Sequence, residues 1–279
     1  MASPLIALIP AMIWAISPIY YRAFLKKFDF LSLNLVRTSL ATAVLLVPAL
    51  YFGFSGSVTF ALLSGAATFA VGDTLYLLAI RETGASVAAP VSYTYVLFVQ
   101  MTAFLVGEAV PLTNFASAAL VILGVLLLSR GGGGKPRAKG IAIALVAGLA
   151  WTAGQDMIAV VTSSGMNVVS IAFVRFAAAA VALAIVVRTT GRHRNWPRVT
   201  ARDFGFIALI ALADLVVGSL FFIYSVSTVG VALTVIVASV SPFATQLLSR
   251  VMGREPPSNV DMAGGALIVV ALILAVALS

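Results

Sequence analysis

The stretch SRGGGGKPRAKG, from Ser129 to Gly140, decides how the chain is organised. It is polar, basic and glycine-rich, and apolar runs flank it on both sides, Leu112–Ser129 before it and Gly140–Val161 after it. Each run is close to the ~20 residues that a helix needs to cross a bilayer. Moving outward, the pattern repeats: Pro4–Phe24, Leu31–Phe52, Thr59–Ile80 and Ala85–Val106 precede these runs, and Val168–Val187, Asp203–Ser225, Val231–Arg250 and Val260–Leu278 follow them. The reading is an all-α integral membrane protein of ten spans. The runs are too long for strands and lack a period-2 alternation.

Composition agrees with this reading. Of the 279 residues, 62% are hydrophobic and 9% charged, whereas soluble domains average about 25% charged. No water-soluble core could bury so much apolar surface. The net charge of +8 would suggest nucleic acid in a soluble protein, but no basic helix or aromatic-basic motif is present, and no nucleic-acid partner is expected. The absence of cysteine excludes disulfides and thiolate metal sites. His193, in the most basic loop, reads as a solvated residue. GGGGKP imitates a phosphate-binding loop only superficially, because no Ser or Thr follows Lys135 and no strand precedes it. Without an ATP-binding motif, any transport must run down a gradient or on one; no cofactor and no metal is called for.

Placement of the basic residues gives an orientation. Arg22, Lys26, Lys27, Arg81, Arg130, Lys135, Arg137, Lys139, Arg188, Arg192, Arg194, Arg198, Arg202, Arg250 and Arg254 all fall in loops after odd-numbered spans, while even-numbered loops and termini hold none. The positive-inside rule then makes the odd loops cytoplasmic and puts both termini outside the cell (inner) membrane.

The two flanks of the linker resemble each other. Trp14 matches Trp151, Val36-Arg37 matches Val174-Arg175, and Gly72 matches Gly218. Further on, Thr83-Gly84-Ala85 aligns with Val229-Gly230-Val231, Gln100 with Gln246, and Glu108 with Glu255. The offset grows from 137 to 147, mostly at the long loop after span 7. The division is therefore 1–130, a linker at 131–139, and 140–279. Five spans is an odd number, so the second unit enters the membrane in the opposite sense. Such inverted pairs are common in secondary transporters, with the solute site near the midplane between them.

Trp14, Val36-Arg37, Thr83-Gly84-Ala85, Glu108 with Ile122-Leu123-Gly124, Trp151, Val174-Arg175, and Glu255 with Gly265-Ala266-Leu267-Ile268 together resemble the drug/metabolite transporter superfamily. The nearest branch is the ten-helix EamA-type metabolite exporters, and within it the aromatic amino acid exporters. The resemblance implies a basket in which spans 1, 3, 4, 6, 8 and 9 line a cavity, spans 2 and 7 form moving walls, and spans 5 and 10 brace the back. Members often have a cytoplasmic N-terminus. The charge count opposes that here, and Lys/Arg placement is the criterion kept.

Polar residues at mid-span are the informative ones, since a lipid-facing helix needs none. Trp14, Pro18 and Tyr21 share one face of span 1, and Trp151 and Gln155 one face of span 6. Span 4 carries Tyr93, Val96 and Gln100, and span 9 carries Ser239, Pro242 and Gln246. Tyr76 and Phe222 join the candidate cavity from spans 3 and 8. Aromatic walls with a few amides and hydroxyls suit a planar solute with a polar head. Each residue has a packing alternative, and for Gln100 and Gln246 a helix-to-helix hydrogen bond is as good a reading. Tyr51 and Trp196 read as interfacial belt residues.

The charges within spans are Arg37, Asp73, Asp156, Arg175 and Asp214. Asp73 or Asp214, left without a partner, would carry protons and couple export to a proton gradient. Arg37 and Arg175 fall near opposite membrane faces, where snorkelling is the favoured reading and a carboxylate clamp or gate pair the alternative. Pro10, Pro18, Pro90 and Pro242 fall inside spans and can bend them. Gly264-Gly265 and Ala116-Ser117-Ala118-Ala119 suit close packing within one chain, so a monomer in lipid, with a small-molecule substrate, is expected. The functional expectation is an exporter of amino acids, aromatic by preference. Hydrophobic drugs or nucleobase-type metabolites are the alternative cargo. A passive channel or an intramembrane enzyme is the alternative of another class.

Overall fold

A computed structural model of the protein describes residues 4–130, 138–191, 200–251 and 259–277, and within them leaves out a few side chains, Pro90 and Gln246 among them. His193, Trp196, Glu255 and most of the glycine linker lie outside the described residues. All regular structure in the described residues is helical.

In the first half, a 3-10 turn Pro4–Ala7 leads into α1 (Leu8–Phe24), followed by α2 (Phe30–Phe52). Next comes α3 (Val58–Gly65), a π-helical stretch Ala66–Asp73 and α4 (Thr74–Thr83), which form one continuous span. It is followed by α5 (Ala85–Ser92), α6 (Tyr95–Thr102) and α7 (Leu112–Arg130). The second half has α8 (Ala138–Ser163), α9 (Val168–Thr189), α10 (Ala201–Ala211), a π-helical stretch Leu212–Gly218 and α11 (Ser219–Val229). It closes with α12 (Val231–Ala238), α13 (Ser241–Val251) and α14 (Asn259–Ala277).

Side-chain caps fix several of the boundaries. The Asp29 carboxylate accepts from Leu31 N at 3.0 Å and from the Ser32 hydroxyl, which starts α2. Asn167 Oδ1 accepts from Val169 N at 2.9 Å and starts α9 at the matching place. Such caps satisfy amides that no helical carbonyl can reach. The Glu108 carboxylate plays this part from a distance, accepting from Val231 N at 2.6 Å and Ala232 N at 3.1 Å at the head of α12. Gly230 makes the turn there with φ +84°, and Gly84 makes its counterpart before α5 with φ +83°.

Among the described residues, six helical runs are long and apolar enough to cross a membrane: Pro4–Phe24, Phe30–Phe52, Val58–Thr83, Ala138–Ser163, Val168–Thr189 and Ala201–Val229. Shorter apolar stretches are Tyr95–Val106, Leu112–Gly124, Val231–Thr245 and Ala263–Ala275. Leu112 is 83% exposed and Val47 73%, which suits a lipid surround rather than water. Tyr51, at the end of α2, is 85% exposed, as an interfacial residue should be.

Two of the expected continuous spans are broken. Ala85–Val106 is interrupted at Tyr93–Thr94, where hydrogen bonding tightens to three-residue spacing (Thr94 N to Val91 O 3.2 Å, Val96 N to Tyr93 O 3.1 Å). Val231–Arg250 is interrupted at Ser239–Val240. Pro242 therefore stands in the first turn of α13 instead of bending a span from within. Its missing N–H is harmless in that position.

α7 packs along α14, and α2 along α9. The α7 contact is close, because a Cβ on Gly124 would lie 2.5 Å from Gly264 O; α7 and α14 therefore brace one another. The loops separate into two sets. At one end Lys27 meets Asp203 at 2.9 Å, Lys139 meets Glu82 at 4.0 Å, and Gly140 lies against Thr83. At the other end Ser57 N donates to Ser164 Oγ at 2.9 Å, Ser170 Oγ donates to Gly53 O at 2.6 Å, and Glu108 meets Val231.

Candidate substrate cavity

The π-helical stretches lie where the chain carries Asp73 and Asp214. A π turn widens the helix and re-aims side chains, and such turns recur at functional sites. Here each brings a glycine under an indole. A Cβ on Gly72 would stand 2.5 Å from Trp151 Cδ1, and one on Gly218 would stand 2.7 Å from Trp14 Nε1. The indoles in turn bond to the same stretches: Trp151 Nε1 donates to Asp73 Oδ1 at 3.0 Å, and Trp14 Nε1 to the Asp214 carbonyl at 3.2 Å.

Arg37, from α2, occupies the space between the two acids. One terminal nitrogen reaches Asp214 Oδ2 at 2.7 Å and Asp73 Oδ2 at 3.2 Å. Its guanidinium stacks over the Tyr21 ring at 4.2 Å, and Tyr21 donates its hydroxyl to Asp214 Oδ2 at 2.6 Å. Asn34 holds the other terminal nitrogen at 3.3 Å and ties the cluster to Phe69 O and Thr74 Oγ1. Arg175 reaches the cavity from α9. Its Nε donates to Ser64 Oγ at 2.9 Å and one Nη to Thr68 Oγ1 at 3.1 Å, with the Phe69 ring 4.7 Å beneath.

Both arginines are buried, Arg37 at 3% exposure and Arg175 at 1%. This corrects the snorkelling reading. The two residues do not reach outward to opposite faces; they turn inward and line one cavity. The snorkelling reading rested on their positions near opposite membrane faces, which fix height in the membrane but not facing. The partners come from other spans. The same geometry removes the premise on which proton coupling was read, since Asp73 and Asp214 share a cation and neither stands alone.

Trp14, Pro18, Tyr76, Tyr93, Trp151, Gln155 and Phe222 line this cavity together with Arg37, Asp73, Asp214 and Arg175. Gln100 does not. It is fully buried and donates to Ala232 O at 3.0 Å, joining α6 to α12, so the helix-to-helix reading holds. Ser239 is also buried and donates to Ile236 O in its own helix at 2.5 Å, outside the cavity lining. The Gln246 side chain is outside the described residues. Asp156 faces away from the lining, partly buried, with Oδ1 lacking a partner.

The sequence reading misses Tyr95, Phe69, Thr68, Ser64 and Ser219. In an unbroken helix Tyr95 would point away from Tyr93; the break at Tyr93–Thr94 turns both rings to Trp151, at 5.7 and 6.3 Å. Ser64 and Thr68 do carry a signal, a polar pair four residues apart on an apolar run, whereas Asp73, five residues further on, joins their side only through the π-helical stretch. The cavity measures about 90 Å³, well below the ~300–1,000 Å³ of small-molecule sites.

Comparison with known proteins decides the family. The family model described as the EamA-like transporter family matches residues 1–130 and 138–277. The chain belongs to the EamA-like transporter family. As a member it falls with transport proteins of the membrane and not with enzymes, which sets aside the intramembrane-enzyme alternative. A curated relative, an uncharacterized transporter of Archaeoglobus fulgidus (strain ATCC 49558 / DSM 4304 / JCM 9628 / NBRC 100126 / VC-16), is 30% identical over 154 residues. That match covers 53% of this chain and 55% of the relative, so the chain spans about half the length of the curated relative it matches. A solved structure, described only as a crystal structure of a protein, has a similar fold, with a TM-score of 0.73 and 20% identity over 98% of this chain and 96% of that one.

Proposed function

We propose that this EamA-like protein exports aromatic amino acids across the cell (inner) membrane by alternating access. The observation that carries the reading is the aromatic box around the ion cluster. Phe222 lies 5.3 Å from Trp14, and Tyr76, Tyr95 and Tyr93 lie 5.0, 5.7 and 6.3 Å from Trp151. Rings so placed offer stacking and edge contacts to a planar side chain, each worth about 0.5–1.5 kcal/mol beyond burial. The buried Gln155 Oε1 has no hydrogen-bond partner among the described residues and is available to a polar head group.

The moving parts in this reading are two five-helix units of inverted topology, 1–130 and 140–279, joined by the linker, with ten spans in all. Support comes from features that recur at matching places: the caps Asp29 and Asn167, the π-helical stretches at Asp73 and Asp214, the turns at Gly84 and Gly230, and the indole on glycine in both halves. The odd-numbered loops are cytoplasmic and the termini outside, from the Lys/Arg placement. A cavity of about 90 Å³ is small for an aromatic amino acid, and in this reading rocking of the halves parts its walls for the substrate.

Counterflow into proteoliposomes of phenylalanine, tryptophan, threonine, a nucleobase and a hydrophobic drug, with and without a pH gradient, tests the reading. Saturable flux of phenylalanine and tryptophan, well above threonine, is expected. Flux of the nucleobase or drug alone would replace the cargo with the alternative class. Non-saturable flux of all five would indicate a channel.

A further inference from the structure

Four charged side chains line the cavity, and they do not cancel locally. Arg37 is shared by two carboxylates, Asp73 and Asp214, so that cluster holds one carboxyl group more than it has cations. Arg175 has no acidic partner among the described residues; its hydrogen bonds go to two neutral hydroxyls. The cavity therefore has an acidic end, where two carboxylates share Arg37, and a basic end, where Arg175 hydrogen-bonds only to hydroxyls and lies within electrostatic reach of Asp73, in a membrane interior where charges persist only when paired or solvated.

Each end also has open hydrogen-bonding capacity. At the acidic end both protein contacts of Asp214 fall on Oδ2, from Arg37 and Tyr21, and Oδ1 accepts none among the described residues. At the basic end a guanidinium has five N–H donors, and only Nε and one Nη of Arg175 are engaged among the described residues, which leaves the Nη1 group open to a ligand. A planar guanidinium edge fits a carboxylate, and a lone carboxylate oxygen fits an ammonium.

Resting on the aromatic reading above, we infer that the cavity is a zwitterion site: Arg175 takes the substrate carboxylate and Asp214 Oδ1, backed by Asp73, takes the substrate ammonium. A free amino acid satisfies both ends at once. An amine or a carboxylic acid of the same size satisfies one end and leaves the other charge buried and unmatched. Selection is thus for the free amino acid, with the aromatic box choosing the side chain.

The test is equilibrium binding to the purified full-length protein of four probes that share a phenyl ring: L-phenylalanine, L-phenylalanine methyl ester, 3-phenylpropionate and phenethylamine. Wild-type protein is expected to prefer phenylalanine to each of the others by about 10–100-fold, the factor that one charged hydrogen-bond partner supplies. In Arg175→Met, phenylalanine falls to the level of its methyl ester while the ester itself is unchanged. Arg175→Lys, which keeps the charge and loses the fork, retains part of the preference and carries the test if the Met variant does not fold. Equal binding of phenylalanine and its ester by the wild type, or an Arg175 variant that weakens all four probes alike, would overturn the zwitterion site and leave aromatic binding standing. Binding of none of the four overturns the aromatic amino acid reading, and this inference with it.

Discussion

Arg37 shows how much depends on one buried side chain. It neutralises Asp73 and Asp214 at 3.2 and 2.7 Å while stacked on Tyr21. Arg37→Met would leave two carboxylates facing each other without a cation. Removing one member of a buried ion pair costs roughly 3–5 kcal/mol, and that loss is expected as a clear drop in melting temperature of the detergent-solubilised protein. Asp73→Asn should cost much less, because the shorter Arg37–Asp214 pair survives and the amide oxygen still accepts from Trp151. An Arg37→Met protein that melts with the wild type would remove the cluster from the account. At this scale the sequence was informative about identity and poor about partners. Trp14, Asp73, Tyr76, Trp151, Gln155 and Asp214 could be picked out as polar or aromatic residues deep in apolar runs. That Arg37 meets Asp214, 177 positions away, could not, since depth in a span fixes height in the membrane but not facing.

Helices and their ends follow a similar division. Apolar runs and turn residues located the six long helical runs to within a few residues, and Val58–Thr83 and Ala201–Val229 differ from the expected Thr59–Ile80 and Asp203–Ser225 by one to four positions at each end. The interruptions at Tyr93–Thr94 and Ser239–Val240 were not legible as breaks, because a proline in an apolar run is equally consistent with a bend. Nor were the π-helical stretches, which arise where glycine lets an indole press against the backbone. Capping by Glu108 is another contact made across the fold, reaching the head of α12 from the loop before α7. Glu108→Ala leaves two amides without that acceptor and should lower stability by about 1 kcal/mol. Thermal unfolding measures this, and Glu108→Gln, which keeps an acceptor oxygen, should recover part of the loss.

For the whole molecule, the claim is relative motion of two halves about a shared cavity. The halves touch at the end where Ser57 N donates to Ser164 Oγ, one residue from each half. The chain has no cysteine, so a Ser57→Cys/Ser164→Cys pair is the only thiol pair present. Oxidising it, or bridging it with a short bifunctional thiol reagent, is expected to stop flux reversibly, with reduction restoring an oxidised pair. Undiminished flux through fully cross-linked protein would mean that this end does not open. The internal match of Trp14 with Trp151 and Gly72 with Gly218 is the sequence signal on which the proposed division into halves rests. The small volume of the cavity was not, because it depends on how close the walls stand.

Uptake of radiolabelled phenylalanine into proteoliposomes, compared with the Trp14→Ala and Trp151→Ala proteins, tests the aromatic cavity most directly. Saturable uptake by the wild type, reduced at least about tenfold in either variant by the loss of a stacking wall and of the indole's hydrogen bond, to the Asp214 carbonyl or the Asp73 carboxylate, is the expected result. Uptake unchanged in both variants, or none by well-folded wild-type protein, would contradict it.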